Sequence, residues 1–489
     1  MSCPARKSTV LATCVVIAIN CSAGIAEAPY TIEWTRQLGT SAEDSGYGVA
    51  TDSSGSVWIA GHTKGSLGAT NAGGYDAFLS KYDSSGGLLW TSQLGTSASD
   101  AGTCIAADDS GHIYITGTTG GPLGASEAHS SDAFLTKYDA SGNLLWIRQH
   151  KSYASDYGCD VATDNSGNIY MSGSTMGRLG VSAAGGFDAF LSKYDSSGNL
   201  LWTRQLGTAR REYGSGVATD AWGNVCITGY TKGSLVATNA GGDDVFLSKY
   251  NASGDLLWTR QFGTPEDDCG YDAATDGSGN VYITGMTKGS LQASNAGLRD
   301  AFLSKFNNSG NVLWTRQFGT LEKDYGRGVA TDRSGNVYIS GQTSGILGAS
   351  SAGGSDAFLR KYDSSGNLLW TCQFGTPERD TGNGVAIDAS GNVYMSGNTN
   401  GALGASNAGG PDAFIAKLSI LGPAATVQLR TRTADPPPDE QRPIRERSVS
   451  EEYGWHLLAL CGSLVILGAL VLIRLKWKWP AGRRRTKSD

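Results

Sequence analysis

Short runs of apolar residues, separated by polar turn residues, recur along most of the chain. In the first copy the runs are Gly48–Asp52, Val57–Gly61, Asp76–Tyr82 and Leu88–Leu94. Runs of about four to eight residues that are rich in β-branched and aromatic side chains and bounded by Gly, Asn, Asp or Ser are typical of β-strands. The pattern therefore predicts four short strands in every copy.

The segments between these runs have the composition of turns. Residues 52–55 and 83–86 both read Asp-Ser-Ser-Gly, in which glycine supplies the positive φ angle that a hairpin turn needs. The second and third runs are joined by the longer segment Thr63–Tyr75, which is rich in Gly, Ala and Asn. Four antiparallel strands connected in this way form a meander, the unit of a β-propeller blade.

The copies have equal length. Seven tryptophans stand 56 residues apart, with no insertion or deletion between the first and the last: Trp34, Trp90, Trp146, Trp202, Trp258, Trp314 and Trp370. Because one such unit buries too little surface to be stable alone, the copies must pack into one quasi-symmetric object. We predict a single folded domain over residues 29–421.

Apolar side chains occupy consecutive positions in three of the runs, at Val57–Ala60, Ala77–Leu79 and Leu88–Trp90. Half-exposed strands alternate apolar and polar residues, so this pattern predicts sheets that are covered on both faces. A ring of blades gives every sheet two neighbours, whereas a solenoid would need atypical end copies. The predicted fold class is all-β, a seven-bladed β-propeller.

The array starts and stops out of phase with the four-strand unit. A lone strand of the tryptophan type, Thr31–Leu38, precedes the first complete copy, and the last copy stops after Asp412–Lys417 without that strand. Pairing the first strand with the last blade would leave the ring without an open edge. We therefore predict that the N-terminal strand closes the last blade.

The two ends of the chain predict its location. Residues 1–28 have the layout of a secretory signal peptide, in which Arg6 and Lys7 precede the apolar run Val10–Ile19 and a stretch of small residues. Near the other end, Leu457–Ile473 carries no charge and is followed by basic residues. About 17 to 25 apolar residues cross a bilayer, and basic residues hold their side in the cytoplasm.

The C-terminal region is therefore predicted to contain three parts. They are a stalk rich in proline and charge over residues 422–454, a transmembrane helix over 455–475 and a basic cytoplasmic tail over 476–489. The predicted location is the cell envelope, as a single-pass membrane protein with the propeller outside the cytoplasm.

Charge and cysteine content narrow the partner classes. The formal net charge is −6, and basic residues concentrated at the chain ends leave an acidic middle. An acidic middle repels polyanions and argues against nucleic acid as a partner.

The five cysteines of the array occupy non-equivalent places without metal-ligand spacing. Scattered thiols are the favoured interpretation, and Cys104 with Cys159 is the one pair near the same place in adjacent copies.

Three segments of the repeat carry a resemblance to a known family. Residues 34–40 read Trp-Thr-Arg-Gln-Leu-Gly-Thr, residues 48–52 read Gly-Val-Ala-Thr-Asp, and residues 76–82 read Asp-Ala-Phe-Leu-Ser-Lys-Tyr. With these segments the chain resembles the SBBP-type bacterial β-propeller repeat family, in all seven copies. The resemblance implies a secreted or surface setting in bacteria, and it brings no catalytic residues with it.

Two aspartates recur in every copy, represented by Asp52 and Asp76 in the first. Oxygen-rich turns attract calcium, but calcium takes about six to eight oxygen ligands, and each of these turns offers one carboxylate beside Ser and Gly. Capping of the turn by the aspartate is the favoured interpretation. We predict no metal site and no cofactor, with calcium as the alternative.

Other positions differ in chemistry between copies. Two of them lie in or next to the long loop, and symmetry places both on one rim of the ring. Loops on a rigid scaffold are the usual place for binding residues, although drift at solvent-exposed positions gives the same variation. The ligand-binding candidates taken from these two positions are Tyr75, Phe187, Asp243, Arg299, His62 and Tyr230.

The sequence contains no catalytic constellation. The histidines of the array are His62, His112, His129 and His150, without a nucleophile, metal or phosphate motif, so we predict no catalytic residues. The predicted function is a binding, adhesion or interaction scaffold at the cell surface, with a surface glycan or protein as ligand. No oligomeric state is predicted. The alternatives are a surface enzyme, a lyase or hydrolase, using the central channel, and a purely structural envelope protein.

Overall fold

A computed structural model describes residues 30–52, 55–124, 131–150, 152–179, 184–348 and 350–420. The chain divides into a unit of residues 1–425 and a unit of residues 426–489, and every described residue lies in the first. The signal peptide, stalk, transmembrane helix and tail predicted above fall outside the described residues. Within the described ranges, no helix is long and apolar enough to span a bilayer.

In the described ranges, twenty-eight strands form seven four-stranded antiparallel sheets. Blade 1 contains β2 (Asp44–Thr51), β3 (Val57–Thr63), β4 (Asp76–Tyr82) and β5 (Leu88–Leu94). Blade 2 contains β6 (Asp100–Ala107), β7 (Ile113–Thr119), β8 (Asp132–Tyr138) and β9 (Leu144–His150). Blade 3 contains β10 (Asp156–Thr163), β11 (Ile169–Thr175), β12 (Asp188–Tyr194) and β13 (Leu200–Leu206).

The next three blades repeat this order. Blade 4 contains β14 (Glu212–Thr219), β15 (Val225–Thr231), β16 (Asp244–Tyr250) and β17 (Leu256–Phe262). Blade 5 contains β18 (Asp268–Thr275), β19 (Val281–Thr287), β20 (Asp300–Phe306) and β21 (Val312–Phe318). Blade 6 contains β22 (Asp324–Thr331), β23 (Val337–Thr343), β24 (Asp356–Tyr362) and β25 (Leu368–Phe374).

Blade 7 is built from both ends of the domain. It contains β26 (Asp380–Ile387), β27 (Val393–Thr399), β28 (Asp412–Ile420) and, as its outer strand, β1 (Tyr30–Leu38). β1 runs antiparallel to β28, with Tyr30 opposite Ile420 and Leu38 opposite Ala413. The prediction that the N-terminal strand closes the last blade is confirmed.

Apolar layers fill the space between neighbouring blades. In blade 3, Tyr170 and Leu191 pack against blade 4, whereas Met171 and Phe190 pack against blade 2. Successive residues of a strand point to opposite faces, so consecutive apolar residues cover both sides of the sheet. This confirms the two-sided burial predicted for the second and third runs of each copy.

The fourth run differs from the expectation. Leu88 and Leu89 are 51% and 54% exposed, although consecutive apolar residues had predicted burial on both faces. The fourth strand lies at the outer edge of its sheet. Blades arranged around an axis diverge toward the outside, and the neighbouring blade no longer covers both faces there.

The ring has two different faces. The hairpin face carries the turns between the first and second strands and between the third and fourth strands of each blade. In one such turn, residues 83–87, Gly86 has φ +80° and the Asp83 side chain accepts hydrogen bonds from the Ser85 and Gly87 amides. The loop face carries the long loops, such as residues 64–75, and the connections between blades, such as residues 39–43. Asp52, one of the two repeated aspartates, caps its own turn by accepting the Ser56 amide at 2.9 Å, and its counterpart Asp108 accepts the Ser110 and His112 amides. These contacts support the capping interpretation of that position.

Basic side chains fasten adjacent blades together at the hairpin face. Arg260, in the outer strand of blade 4, donates hydrogen bonds from Nε to the Gly310 carbonyl oxygen at 2.7 Å and from Nη2 to the Ser309 carbonyl oxygen at 3.0 Å, both in blade 5. Its guanidinium also lies 5.3 Å from the centroid of the Trp258 ring. The repeated Trp-Thr-Arg sequence is thus a clamp between consecutive blades.

Candidate functional site

The loop face is held rigid by buried carboxylates. Asp44, fully buried at the start of β2, accepts hydrogen bonds from the Thr63 hydroxyl and from the amide and hydroxyl of Thr40. Asp76 accepts from the Ala72 amide and from Nε2 of Gln93, both at 2.8 Å. Both carboxylates tie loop backbone to strand ends. The capping interpretation of Asp76 is supported, whereas the Asp44 position was not singled out from the sequence.

All six predicted binding candidates lie on this face, in separate groups. His62 and Tyr75 form one group with Tyr47, because ring centroids are 4.4 Å apart for His62 and Tyr75 and 5.3 Å apart for Tyr47 and His62. The Tyr75 hydroxyl donates to Glu43 at 2.7 Å. Burial lowers the pKa of His62 to about 4, so its imidazole is neutral at physiological pH.

Phe187 and Tyr230 belong to a second group between blades 3 and 4. Tyr213 lies between them, with ring centroids 4.9 Å from Phe187 and 5.0 Å from Tyr230, and Tyr157 lies 5.8 Å from Phe187. We name Tyr157, Phe187, Tyr213 and Tyr230 the aromatic cluster. Tyr157 is exposed and the other three rings are half-buried, so the cluster offers stacking surface. Burial raises the pKa of Tyr230.

The two charged candidates are already engaged. Asp243 is 6% exposed and forms an ion pair with Arg211 at 3.2 Å. Arg299 donates a hydrogen bond to the Tyr325 hydroxyl, and its guanidinium lies 5.5 Å from the centroid of that ring. Their polar groups therefore contribute to the shape of the loop face more than to free hydrogen-bonding capacity.

The structure adds a third variable position, which sequence reasoning missed. In blade 1 the pairing of β2 with β3 shifts register between Gly46 and Gly48, so that Tyr47 has no partner on β3. A β-bulge of this kind re-aims a side chain, and here the bulged residues line the central channel. They are Tyr47, Thr103, Cys159, Ser215, Tyr271, Arg327 and Asn383.

The channel has a cavity volume of about 370 Å³ and contains two carboxylates below the bulged residues. Asp160 accepts hydrogen bonds from the amides of Val161 at 2.8 Å and Val217 at 2.7 Å. Asp272 accepts from the Val329 amide of the next blade at 2.8 Å. Burial raises the pKa of both carboxyl groups. These aspartates fasten neighbouring inner strands, which is a structural role.

The five cysteines of the described residues are free thiols. Cys104 and Cys159, the pair in similar places of adjacent copies, both line the channel without a disulfide. Burial raises the pKa of Cys159 to about 12, so the thiol stays protonated. The interpretation of scattered thiols is supported.

A second cavity, of about 280 Å³, lies beside the channel mouth between blades 1, 6 and 7. We name it the cationic pocket. The residues that matter for its chemistry are Glu43, Tyr47, Arg327, Arg379, Asn383 and Asn398. Because the copies have equal length, no inserted loop contributes to this pocket. The asymmetry of the pocket arises from side-chain differences at equivalent positions.

A family model described as SBBP, beta-propeller repeat, matches residues 33–68, 89–124, 146–180, 201–235, 257–292, 313–348 and 369–404. These segments cover just over half of the chain. The protein belongs to the SBBP β-propeller repeat family. Each SBBP match begins in the outer strand of one blade and continues through the first two strands of the next, as from β1 into β3. One repeat therefore links two blades.

The SBBP chain is also similar to two curated proteins. It is 28% identical over 251 residues to the regulatory protein FlaEY of Caulobacter vibrioides, with 43% of this chain and 26% of the relative covered. It is 22% identical to the uncharacterized WD repeat-containing protein L264 of Acanthamoeba polyphaga mimivirus, with 76% of this chain and 36% of the relative covered. The chain thus spans about a quarter to a third of the length of these relatives.

Solved propeller structures resemble the chain distantly. The Neurospora crassa Pan2 WD40 domain is 10% identical, with a TM-score of 0.47 and coverage of 81% of this chain and 97% of the domain. The SBBP matches include His62 and Tyr230 but end before Tyr75, Phe187, Asp243 and Arg299. The position represented by Tyr75 thus lies in the part of each copy that the family model leaves uncovered.

Proposed function

We propose that the protein is a ligand-binding module and that the loop face, around the channel mouth, is its contact surface. The observation that carries this proposal is the gathering of three variable positions on one face, represented in blade 1 by Tyr47, His62 and Tyr75. Rigid scaffolds with variable side chains at one end are the usual architecture of binding sites.

The composition of this face also supports binding. Tyrosines, asparagines and arginines surround the mouth, and these residues give contact area and adaptable hydrogen bonds at low entropic cost. The rival hypothesis of an enzyme in the central channel would need Asp160 and Asp272 as acids or bases, but backbone amides occupy oxygens of both carboxylates. Binding is the function that the geometry favours.

The location is part of the same proposal. Both ends of the described domain, Tyr30 and Ile420, pair with each other at the hairpin end of blade 7. A signal peptide over residues 1–28 and a membrane-spanning helix over 455–475 would place the propeller outside the cytoplasm. A surface glycan or protein could reach it there.

The experiment is a screen of glycan and protein arrays with the soluble fragment 29–421. We expect reproducible binding that weakens at least tenfold in His62→Ala/Tyr75→Ala or in Tyr213→Ala, because central aromatic residues carry most of the energy of an interface. Arg333→Ala, in a hairpin-face turn, is the matched control and should bind normally. Binding that is lost with Arg333→Ala and kept with both loop-face variants would refute the proposal.

A further inference from the structure

The cationic pocket contains an arginine that has no carboxylate partner among the described residues, although its guanidinium lies 5.4 Å from the centroid of the Tyr325 ring. Arg327 occupies the bulge of β22, between Gly326 and Gly328, and takes part in none of the ion pairs of the described residues. Its Nε is buried without a hydrogen-bond partner. Other blades carry Thr103, Ser215 or Asn383 at this position, so building a blade does not require an arginine there.

A second cation shares this pocket. Arg379, in the connection between blades 6 and 7, lines the same cavity of about 280 Å³, and its Nη2 donates to Oε1 of Gln342 at 3.5 Å. Burial lowers the pKa of Arg327, and the nearby charge of Arg379 acts in the same direction. Two guanidinium groups that face one cavity repel each other, and a buried polar group without a partner is costly. An oxyanion between them would relieve both costs.

The one carboxylate among the residues lining the pocket does not serve as this counter-ion. Glu43 accepts hydrogen bonds from Lys64 Nζ at 2.9 Å and from the Tyr75 hydroxyl at 2.7 Å. The hydrogen bonds from Tyr75 and Lys64 lower the pKa of Glu43, and Lys64 is its ion-pair partner. Neither arginine therefore forms an ion pair with the carboxylate that lines the pocket.

The other lining groups indicate what the anion is attached to. Asn383 donates from Nδ2 to the Gly46 carbonyl oxygen at 2.8 Å, and Asn398 accepts the Gly46 amide on Oδ1 at 2.8 Å. Each side-chain amide thus uses one end to tie blade 7 to blade 1 and keeps the other end for a ligand hydroxyl. Tyr47 adds a flat aromatic wall to the same cavity.

We propose that the cationic pocket binds the carboxylate of an acidic sugar residue in a surface glycan. Arginine holds a carboxylate through two parallel hydrogen bonds, while the asparagines hold ring hydroxyls and Tyr47 lies against the sugar. The formal net charge of the chain is −6, which disfavours a polymer charged at every residue. The ligand therefore carries an isolated carboxylate. This inference rests on the proposed function of the loop face.

The test is titration calorimetry of the full-length protein in neutral detergent with a trisaccharide that ends in one glucuronate. The matched neutral trisaccharide ends in glucose. We expect the acidic trisaccharide to bind at least tenfold more tightly, and binding to weaken with added salt. Arg327→Met should lose at least tenfold, Arg327→Lys should lose less, and Arg333→Met on the hairpin face should bind normally.

Folding of the variants is checked by thermal unfolding, where Arg327→Met is expected to melt no lower than the parent because it removes an unpaired charge. Equal affinity for the two trisaccharides, or full affinity in Arg327→Met, would overturn the proposal. Preference for a peptide with one glutamate, or for a fully charged polyuronate, would overturn it as well. If the acidic-sugar proposal fails but binding to another ligand on the arrays requires the aromatic cluster, the proposed binding function of the loop face still holds. If no loop-face variant affects any binding, the acidic-sugar proposal and the proposed function both fail.

Discussion

Closure of the ring by β1 can be tested with the single substitution Trp34→Ala. Trp34 is 8% exposed and belongs to an apolar layer that contains Val57 and Tyr82 of blade 1 and Tyr394 of blade 7. Its indole nitrogen donates to the Ser84 carbonyl oxygen at 3.3 Å. The substitution therefore weakens both the attachment of β1 and the contact between the last and the first blade.

The magnitude follows from burial. Truncating a buried Trp to Ala costs about 3–5 kcal/mol. An unfolding entropy of about 2.1 cal/mol/K per residue gives roughly 0.8 kcal/mol/K for a ring of about 390 residues that unfolds as one unit. The expected decrease in Tm is thus about 4–6 °C, with all blades melting together.

Differential scanning calorimetry of the fragment 29–421 measures this change. Trp222→Ala is the matched control, because Trp222 is 59% exposed in a hairpin turn of blade 4, and surface substitutions change stability by about 0.5 kcal/mol or less. Equal melting of Trp34→Ala and the parent would refute the closure argument. So would a Trp222→Ala variant that melts as low as Trp34→Ala.

Three further predictions follow from contacts within the ring. Arg260→Ala removes the clamp on Gly310 and should destabilise the fragment by about 1.5–3 kcal/mol, measured by urea unfolding, whereas Arg333→Ala should leave the midpoint unchanged. Burial lowers the pKa of His62 and His150 to about 4, so these two groups should lower stability as pH decreases from about 6.5 toward 4, where only the unfolded chain protonates them. Between these pH values the parent should therefore lose more stability than His62→Gln/His150→Gln, measured by thermal unfolding; an equal change in the two proteins contradicts this. Unreduced fragment 29–421 should show five reactive thiols in denaturant and slow reaction of Cys226, Cys269 and Cys372 when folded; fewer than five would mean that a disulfide forms.

The architecture was predictable because it depends on the length of the repeat and on the strand at which the array begins. Equal spacing of the tryptophans determines the number of blades, and the lone strand Thr31–Leu38 determines how the ring closes. Both are properties of the linear sequence. Exposure of Leu88 and Leu89 was not predictable, since it depends on the divergence of neighbouring blades toward the outside.

The site was predictable only in part. Chemical variation identified His62 and Tyr75, and the same criterion would have identified Tyr47 and Arg327. What the sequence lacks is the register: the extra residue in β2 becomes visible only when its pairing with β3 is known. The cationic pocket also joins blades 6, 7 and 1, which are remote in sequence and adjacent only because the ring closes.

The proposed function requires the ligand to contact the loop face of the ring. Hydrogen–deuterium exchange of the fragment 29–421, with and without the ligand selected on the arrays, measures this directly. We predict that protection is confined to the loop face, in residues 39–47, 64–75 and 376–383. Protection of the hairpin turns at residues 83–87 and 332–336, with unchanged exchange on the loop face, would contradict it.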